Sequence, residues 1–410
     1  MARDVGAVEC EPQPAPVRSR RIHPQVNEVN SVKMPGRRRQ RILLAILLKT
    51  AILLNSKTFN LSKNRTISTE AQLRQAAKET LEADALLRWR WKAFELKHDR
   101  GADALLELNV DGRRLVFVVE FKLTPSAREL ERLAERSGKR RRLLIAPSLS
   151  EVLVEQCRER GLSCVDLNGR QWIRAEGVLV DRKPSEARRY RPPFLPPDVF
   201  QPKSSRLVRA LLSQSDRTWS QGELGERTGL SPGLVSRLLR HLVNEGFLAL
   251  DNRSLRVSRG DALLGAWAAR DSWDKRTTVR QYSLLESDIE TIARNLVKAL
   301  PASETLVFTQ WFAANLRHPY TNPLLVSAYV ERFPAQQIER ELRARQVADG
   351  GTLWLVVPKD DGVFRETQRV GDFTLACDVQ IYLDLLRAGL RGPEQAKALR
   401  DWEGFGRVNA

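Results

Sequence analysis

The clearest alternation of apolar and polar residues in the chain lies between residues 103 and 122. Two runs that alternate with a period of two flank Asp111-Gly112, a dipeptide typical of a two-residue hairpin loop. Pairing across that loop places Asp103 opposite Glu120 on one face of the predicted hairpin. The other face is apolar throughout and should pack against a core; it comprises Ala104, Leu106, Leu108, Leu115, Phe117 and Val119.

Helical and strand-like segments alternate in the two larger parts of the chain. Residues 66–183 combine predicted helices at 70–83 and 150–160 with short apolar runs such as 143–147, which favours a mixed α/β (α+β) domain. Residues 261–410 show the same mixture, and we predict a C-terminal α/β domain there. Its predicted strands are 306–308, 325–330, 352–357 and 373–377, and its predicted helices are 334–347, 379–388 and 394–402.

Residues 204–260, between these two domains, carry the pattern of a central winged helix-turn-helix. A helix at 206–212 precedes the segment 218–231, which fits a helix, a glycine turn and a new helix N-cap at Ser231. Apolar residues then repeat at helical spacing between residues 234 and 243, and a short hairpin with basic residues follows. This order of elements is typical of DNA-binding regulators.

The polar face of the second helix and the hairpin supply the candidate DNA contacts. Serine hydroxyls and long cationic side chains can reach phosphates and guanine edges in a major groove, while the apolar stripe anchors the helix. The alternative is a winged helix that binds protein, in which the arginines form only a solvated face. The predicted DNA-binding residues are Ser231, Ser236, Arg237, Arg240, His241, Arg253 and Arg256.

Composition and charge favour a polyanion as the partner. Lys and Arg total 68 against 50 Asp and Glu, and residues 1–65 alone carry 13 basic against 4 acidic side chains. We predict that residues 1–65 are a disordered basic tail, with translation starting at Met1 or Met34. The apolar run 42–54 is shorter than the ~20 residues of a membrane span. Residues 184–203 hold six of the 20 prolines and are predicted to be a linker.

The four cysteines show no metal-ligand spacing, which fits a reducing compartment. We therefore expect a cytoplasmic protein with double-stranded DNA, and no membrane, as its partner.

The face of the predicted hairpin that carries Asp103 and Glu120 suggests a second chemistry. Two opposed carboxylates repel each other unless a cation lies between them, and Lys122 follows one pleat further along. An Asp followed by Glu-x-Lys on the neighbouring strand resembles the PD-(D/E)xK nucleases. That resemblance implies a restriction-endonuclease-like domain in which Asp103 and Glu120 hold Mg²⁺ and Lys122 helps to activate water. The alternative, which we favour, is a scaffold without turnover, whose carboxylates are relieved by Lys122 or a nearby arginine; no cofactor is then expected.

The order of motifs along the chain resembles the AbiEi family of antitoxins and transcriptional regulators. The resemblance covers about residues 70–405 and rests on a proline linker, a winged helix and five short motifs. These motifs are 119–122, 143–147, 161–169, 379–385 and 391–394.

The resemblance implies a regulator from a type IV toxin-antitoxin, or abortive-infection, system. Such a protein would bind inverted repeats in its own promoter and oppose a nucleotidyltransferase-like toxin, without requiring direct contact with it. Two alternatives stay open: a Mg²⁺-dependent DNA nuclease targeted by its winged helix, and an adaptor that binds only protein.

Overall fold

The structure is a computed structural model, which describes residues 65–94, 103–110, 112–136, 140–185, 188–252, 254–334, 337–389 and 391–406. Of the predicted basic tail, only Arg65 is described. The apolar run 42–54, the loop residue Asp111 and the candidate wing residue Arg253 lie outside the described residues.

A seven-stranded mixed sheet with helices on both faces forms the N-terminal part. The strand order is β2-β3-β4-β5-β6-β7-β8, with β4, β5 and β6 parallel and the outer neighbours antiparallel. The elements are β1 (Arg65–Thr66), α1 (Glu70–Glu82), β2 (Arg88–Phe94), β3 (Ala104–Val110), β4 (Arg113–Phe121), α2 (Ala127–Glu135), β5 (Arg141–Ala146), α3 (Glu151–Glu159), β6 (Ser163–Asp166), β7 (Gln171–Ala175) and β8 (Val178–Arg182).

The predicted hairpin is β3 and β4, and its register is confirmed. Ala104 lies opposite Val119, and Val110 lies opposite Arg113. All six residues of the predicted apolar face are buried in the core that α1 covers. A second core on the opposite face of the sheet is closed by α2 and α3. The alternation along β3 and β4 therefore identified the buried face correctly.

The proline-rich segment after β8 is extended, as predicted, and is fixed to the N-terminal domain. Its short strand β9 (Tyr190–Arg191) pairs in parallel with β1. The Asn168 side chain holds the same segment, because its amide donates to the Tyr190 carbonyl at 3.0 Å and its oxygen accepts from the Arg189 amide at 2.9 Å. Asn168 belongs to the 161–169 motif, so that motif has a structural role here.

The central part has the helices and strands of a winged helix-turn-helix. The β10-β12-β11 sheet is antiparallel throughout, and its apolar residues form one core with the helices. The elements are α4 (Ser205–Ser213), β10 (Thr218–Trp219), α5 (Gln221–Thr228), α6 (Pro232–Asn244), β11 (Leu248–Asp251), β12 (Ser254–Val257), α7 (Gly260–Arg270) and α8 (Trp273–Arg276).

The C-terminal part contains a second seven-stranded mixed sheet, with strand order β16-β13-β17-β15-β14-β19-β18. Its parallel pairs are β15 with β17 and β14 with β19. The elements are β13 (Thr277–Ser283), α9 (Ile289–Ala299), β14 (Leu306–Thr309), α10 (Gln310–Arg317), β15 (Val326–Val330), α11 (Gln337–Glu341), β16 (Arg345–Val347), β17 (Leu353–Pro358), a 3₁₀ turn (Asp361–Phe364), β18 (Thr367–Val370), β19 (Phe373–Ala376), α12 (Asp378–Leu386) and α13 (Gly392–Asp401).

The four strands predicted in the C-terminal part are confirmed, as are the helices predicted at 379–388 and 394–402. The helix predicted over 334–347 is wrong in its second half. Arg343 has a left-handed backbone with φ 48°, which no α-helix continues through. The chain then forms β16, which pairs with β13 at the edge of the sheet.

The described residues all belong to one compact unit. Within the described ranges, no helix is long and apolar enough to cross a bilayer.

Candidate DNA interface

The turn between α5 and α6 has the backbone geometry that a helix-turn-helix requires. Gly229 ends α5 with φ 64°, a left-handed conformation that glycine adopts without the steric cost of a Cβ. The next helix has Ser231 at its N-cap position and Pro232 in its first turn. The Ser231 hydroxyl makes no capping hydrogen bond, in contrast to the sequence-based interpretation of a side-chain cap. Ser231 is an exposed residue, and its hydroxyl is not used to cap the helix.

The apolar stripe of α6 anchors the helix in the core of the winged helix. Val235, Leu238 and Leu242 are buried completely, and Leu239 is almost so. They pack against α4, α5 and the wing strands in one cluster. The periodicity prediction for this helix is confirmed, and the stripe fixes which residues face away from the core.

The opposite side of α6 presents free cationic groups. Arg237 and Arg240 are exposed, one turn apart, and Ser236 beside them is half-buried. Neither guanidinium forms an ion pair or hydrogen bond with another residue of the described ranges. Many other arginines of the described ranges have carboxylate partners, such as Arg217 with Glu223 at 2.9 Å. The free face of α6 can therefore offer its charge to a polyanion.

The wing adds a further exposed arginine beside this helix. Arg256 on β12 pairs with Thr218 of β10 and Ala249 of β11, so its backbone is held on both sides. Its side chain is exposed. Asn252 at the wing tip has a left-handed backbone with φ 43°, a conformation that asparagine tolerates in tight turns.

His241 occupies a different environment from the two arginines. It is half-buried, and burial lowers its pKa from 6.5 to about 4, with Arg270 acting in the same direction and Asp198 against it. The imidazole is therefore neutral near pH 7 and cannot act as a cationic phosphate contact. The DNA-binding role of His241 stays a prediction, in which a neutral imidazole makes the contact; sequence spacing could not reveal the partial burial of this position.

We expect a His241→Gln variant to lose part of the acid sensitivity of the fold. Between pH 6.5 and about 4, the unfolded chain binds a proton at this histidine and the native chain does not. Native stability therefore rises with pH through that window and falls as the solution is acidified. As the pH falls from about 7 to 5, the free energy of unfolding of the variant should rise by about 2 kcal/mol relative to that of the parent. Denaturant titrations across this range measure the difference, and a constant difference would contradict the assignment.

The C-terminal end of α6 is closed by the N-terminal domain. The Ser150 hydroxyl donates to the Glu245 carboxylate, and Gln156 donates to the Glu245 carbonyl at 2.8 Å. A Cβ on Gly246 would lie 2.7 Å from the Cβ of Ala127, so the backbone approaches α2 as closely as glycine allows. The exposed arginines of the helix, Arg237 and Arg240, therefore lie before this closed end, among the first nine of its 13 residues.

The first two helices of the unit are held by the C-terminal domain. Arg206 of α4 binds Asp360 through two nitrogens, with an Nε–Oδ1 distance of 2.8 Å, and also contacts Asp361. Arg227 of α5 binds Glu366 with its Nε and Nη2 at 2.8 and 2.7 Å. The Asp360-Asp361-Gly362 sequence, which has the composition of a turn, thus supplies an anchor for the winged helix. The helix-turn-helix is built into the protein between two domains.

The carboxylates proposed as nuclease ligands already have partners. Arg142 Nη1 lies 3.0 Å from Glu120 Oε1, and Lys122 Nζ lies 3.9 Å from Glu120 Oε2. Asp103 accepts a hydrogen bond from the Phe121 amide at 2.8 Å, and Arg74 lies 3.5 Å away. Burial raises the pKa of Glu120, while Lys122 and Arg142 oppose that rise.

These residues do not fit a Mg²⁺ site. Mg²⁺ in proteins is usually held by one or two carboxylates and several waters, but here both carboxylates already face cationic side chains, Glu120 at 3.0 Å from Arg142 and Asp103 at 3.5 Å from Arg74. Within the described ranges, no three His, Cys, Asp or Glu side chains are grouped so that they could hold a metal. The donor set favours the alternative in which Arg142 relieves the repulsion, and we derive no cleavage step from it.

Comparison with known proteins identifies the central unit alone. Residues 209–252 match the family described as the IclR helix-turn-helix domain. Nothing among curated proteins or solved structures matches the chain. The match runs from α4 to the tip of the wing and therefore covers α6 with Arg237 and Arg240. It supports a DNA-binding transcriptional regulator.

Proposed function

We propose that this protein is a sequence-specific DNA-binding regulator that represses its own promoter as the antitoxin of a type IV toxin-antitoxin system. The observation that carries the DNA-binding part is the exposed half of α6, where Arg237 and Arg240 have no ion-pair partner among the described residues. The match of residues 209–252 to a helix-turn-helix family supports the same conclusion.

The residues have separate roles in this proposal. Arg237 and Arg240 contact guanine edges or phosphates in the major groove, and the shorter Ser231 and Ser236 make close contacts beside them. Arg256, together with Arg253, contacts the backbone from the wing. One such unit makes few base contacts, so two copies bind the two halves of an inverted repeat.

Footprinting on the promoter of this gene tests the proposal. We expect a protected region with two related halves, and we expect protection to disappear at high salt because phosphate contacts release counterions. A fragment of scrambled sequence serves as the control. Equal affinity for both fragments would overturn sequence-specific regulation, and binding without salt dependence would favour the protein-binding adaptor.

The antitoxin role rests on the resemblance to the AbiEi family. The partner in this proposal is a nucleotidyltransferase-like toxin encoded beside this gene, and direct contact between the two proteins is not required. Expressing the adjacent gene alone should arrest growth, and co-expression with this protein should restore it. Growth arrest that this protein cannot relieve would leave a promoter regulator without an antitoxin role.

We assign the N-terminal domain a restriction-endonuclease-like scaffold without turnover. The mixed sheet flanked by helices and the ion pair of Glu120 with Arg142 support that assignment. Purified protein should leave supercoiled plasmid intact in the presence of Mg²⁺. Metal-dependent cleavage that disappears in a Glu120→Ala variant would instead make the domain a nuclease.

An Arg256→Gln variant should weaken operator binding to a similar extent on all sequences. If Arg256 neutralises one phosphate, the log–log salt slope should fall by about 0.9 when its charge is removed. Arg114→Gln, which removes an exposed arginine from β4, is the matched control and should leave the slope unchanged. Gel-shift titrations at several salt concentrations measure both slopes, and equal slopes would remove Arg256 from the interface.

A further inference from the structure

A cavity lies where the winged helix meets the C-terminal domain. Its volume is about 580 Å³, within the range of small-molecule sites. Its walls come from four segments: residues 198–202 before α4, Ser205 and Arg209 of α4, residues between Trp267 and Arg276 of α7 and α8, and residues between Pro358 and Val363 at the end of β17. The cavity therefore borders directly on the first helix of the DNA-binding unit.

One wall of the cavity is flat and aromatic. Phe200 and Trp267 stack with their ring centroids 6.2 Å apart and an interplanar angle of 17°. The Arg209 guanidinium lies over Trp267 at 5.4 Å, and the Arg270 guanidinium lies over Phe200 at 5.7 Å. Such a surface favours a planar ligand body.

The charges in the cavity that lack a partner are positive. Lys275 and Lys359 are exposed at its edge, and neither forms an ion pair within the described ranges. Arg209 is only 4% exposed, and its Nη1 has no hydrogen-bond partner among the described residues, although its other nitrogens bind Gln380. A buried guanidinium nitrogen without an acceptor is costly, and a bound anion would remove that cost.

The acidic residues of the lining are already neutralised. Arg276 binds Asp271 through two nitrogens at 2.8 and 3.1 Å. Arg206 binds Asp360 in the same manner, and Asp198 lies 3.7 Å from Arg270. The remaining field in the cavity therefore favours negative charge.

From this arrangement we infer that the cavity binds a small organic anion with a flat aromatic body, such as a nucleoside monophosphate or an aromatic carboxylate. The ring lies against Phe200, the half-buried member of the aromatic pair, because Trp267 behind it is only 3% exposed. The acidic group accepts hydrogen bonds from Arg209, Lys275 and Lys359.

The position of the cavity connects its ligand to the DNA-binding unit. Arg209 belongs to α4, and the segment that carries Lys359 also carries Asp360, which binds Arg206 of the same helix. A few residues later Glu366 binds Arg227 of α5. An anion held between Arg209 and Lys359 thus acts on both anchors of the helix-turn-helix. This consequence rests on the proposed function: the ligand and the operator each change the affinity for the other.

Isothermal titration calorimetry of the full chain without DNA tests the site by itself. AMP and salicylate serve as anionic probes, and adenosine serves as the uncharged counterpart of AMP. We expect saturable binding of at least one anionic probe at millimolar concentration or below, and no binding of adenosine. No binding of either anion, or equal binding of AMP and adenosine, would overturn the proposal.

Variants locate the binding in this cavity. Lys275→Gln with Lys359→Gln should weaken binding of the anion about tenfold, because hydrogen bonds to charged groups are stronger than neutral ones. Both lysines are exposed, so the fold should be preserved. Lys298→Gln, which changes an exposed lysine of α9 outside the lining, is the matched control. Unchanged affinity in the double variant would overturn the assignment of this cavity.

Operator titrations with and without the bound probe test the coupling. We expect the operator affinity of the parent protein to change when the anion is present, and we expect the double lysine variant to lose that response. If the anion binds but operator affinity does not change, the proposed coupling is wrong and the proposed anion site still stands. A protein that binds the anion but no promoter DNA would contradict the proposed function instead, so the two failures are distinguishable.

Discussion

Replacing Arg237 and Arg240 together by alanine should reduce operator affinity by at least 30-fold. The loss is about 2–6 kcal/mol, at about 1–3 kcal/mol for each arginine that contacts a base. Both side chains are exposed and lack ion-pair partners in the described part of the chain, so their removal should not disturb the fold. The loss should therefore appear in the binding free energy and not in the melting temperature.

The two single variants separate the kinds of contact that these arginines make. Removal of an arginine that binds a guanine edge should relax the preference for that base. The loss of binding free energy should then lie near the upper end of about 1–3 kcal/mol. An arginine that binds only a phosphate should weaken all sequences equally. Gel-shift titrations against the operator and single-base variants of it distinguish the two cases for Arg240→Ala and Arg237→Ala.

A matched double variant controls for the change in net charge. Arg114→Ala with Arg174→Ala also removes two exposed arginines, from β4 and β7 of the N-terminal domain. We expect nearly full operator affinity in this variant. If both double variants lose affinity equally, the net charge of the protein drives binding and α6 has no privileged role.

The sequence predicts those elements whose side chains repeat with the period of their own secondary structure. The β3–β4 hairpin and the stripe of α6 are such cases, because each apolar position is fixed by a local pattern. The hairpin face is buried as expected, and so is the centre of the stripe, while Leu234 and Val243 at its ends are half-buried. The same reasoning fails at His241, which has the spacing of the exposed face of α6. Its burial comes from tertiary contacts that a local period does not encode.

Contacts between the domains are the part that sequence patterns could not provide. Nothing around Ser150 or Glu245 marks them as partners, yet their hydrogen bond closes the end of α6 against the N-terminal domain. Asp360 has the same character: its sequence context predicts a turn, and its partner Arg206 lies far away in the chain. Such pairs depend on how the folded domains pack against each other, and the periodicity of a single sequence contains no information on that packing.

The helix 379–385 motif illustrates a further limit. Its leucines predict a core helix, and α12 is such a helix. The pattern does not show that its polar residues form a buried hydrogen-bond network. Gln380 and Asp384 are buried and bonded to each other at 2.7 Å, and Gln380 also accepts hydrogen bonds from Arg209 of α4. A polar residue inside an apolar run could have signalled a buried network, although not the identity of its partners.

That network provides the largest stability effect that we expect. Arg276 Nη2 lies 2.6 Å from Asp384 Oδ1, and the same guanidinium binds Asp271 at 2.8 Å. Tyr329 receives a hydrogen bond from Arg276 at 2.9 Å and donates one to Asp384 at 2.9 Å. Arg276→Met keeps most of the side-chain volume but leaves two buried carboxylates without a cation. We expect the free energy of unfolding to fall by about 3–5 kcal/mol, as measured by denaturant titration.

The pH dependence of that loss identifies its electrostatic origin. Burial raises the pKa of Asp384, while Arg276 holds it down; without the guanidinium it should rise further. The native variant then binds a proton at a pH where the unfolded chain does not, so its stability increases as the pH falls. The deficit of Arg276→Met should therefore be largest near neutral pH and smaller near pH ~5. A deficit that does not change with pH would mean that lost packing, and not an uncompensated charge, is responsible.

Two further variants complete the test. Arg294→Met removes an arginine that binds Glu290 and Asp372 on the exposed surface. Solvent screens these ion pairs, so this variant should cost far less stability than Arg276→Met. Arg276→Met combined with Asp384→Asn should recover part of the lost stability, because the buried charge disappears with its partner. Gln380 connects this network to Arg209 of α4. We therefore expect Arg276→Met alone to lower operator affinity as well. If Arg276→Met is less stable but binds DNA normally, the network supports the C-terminal domain alone.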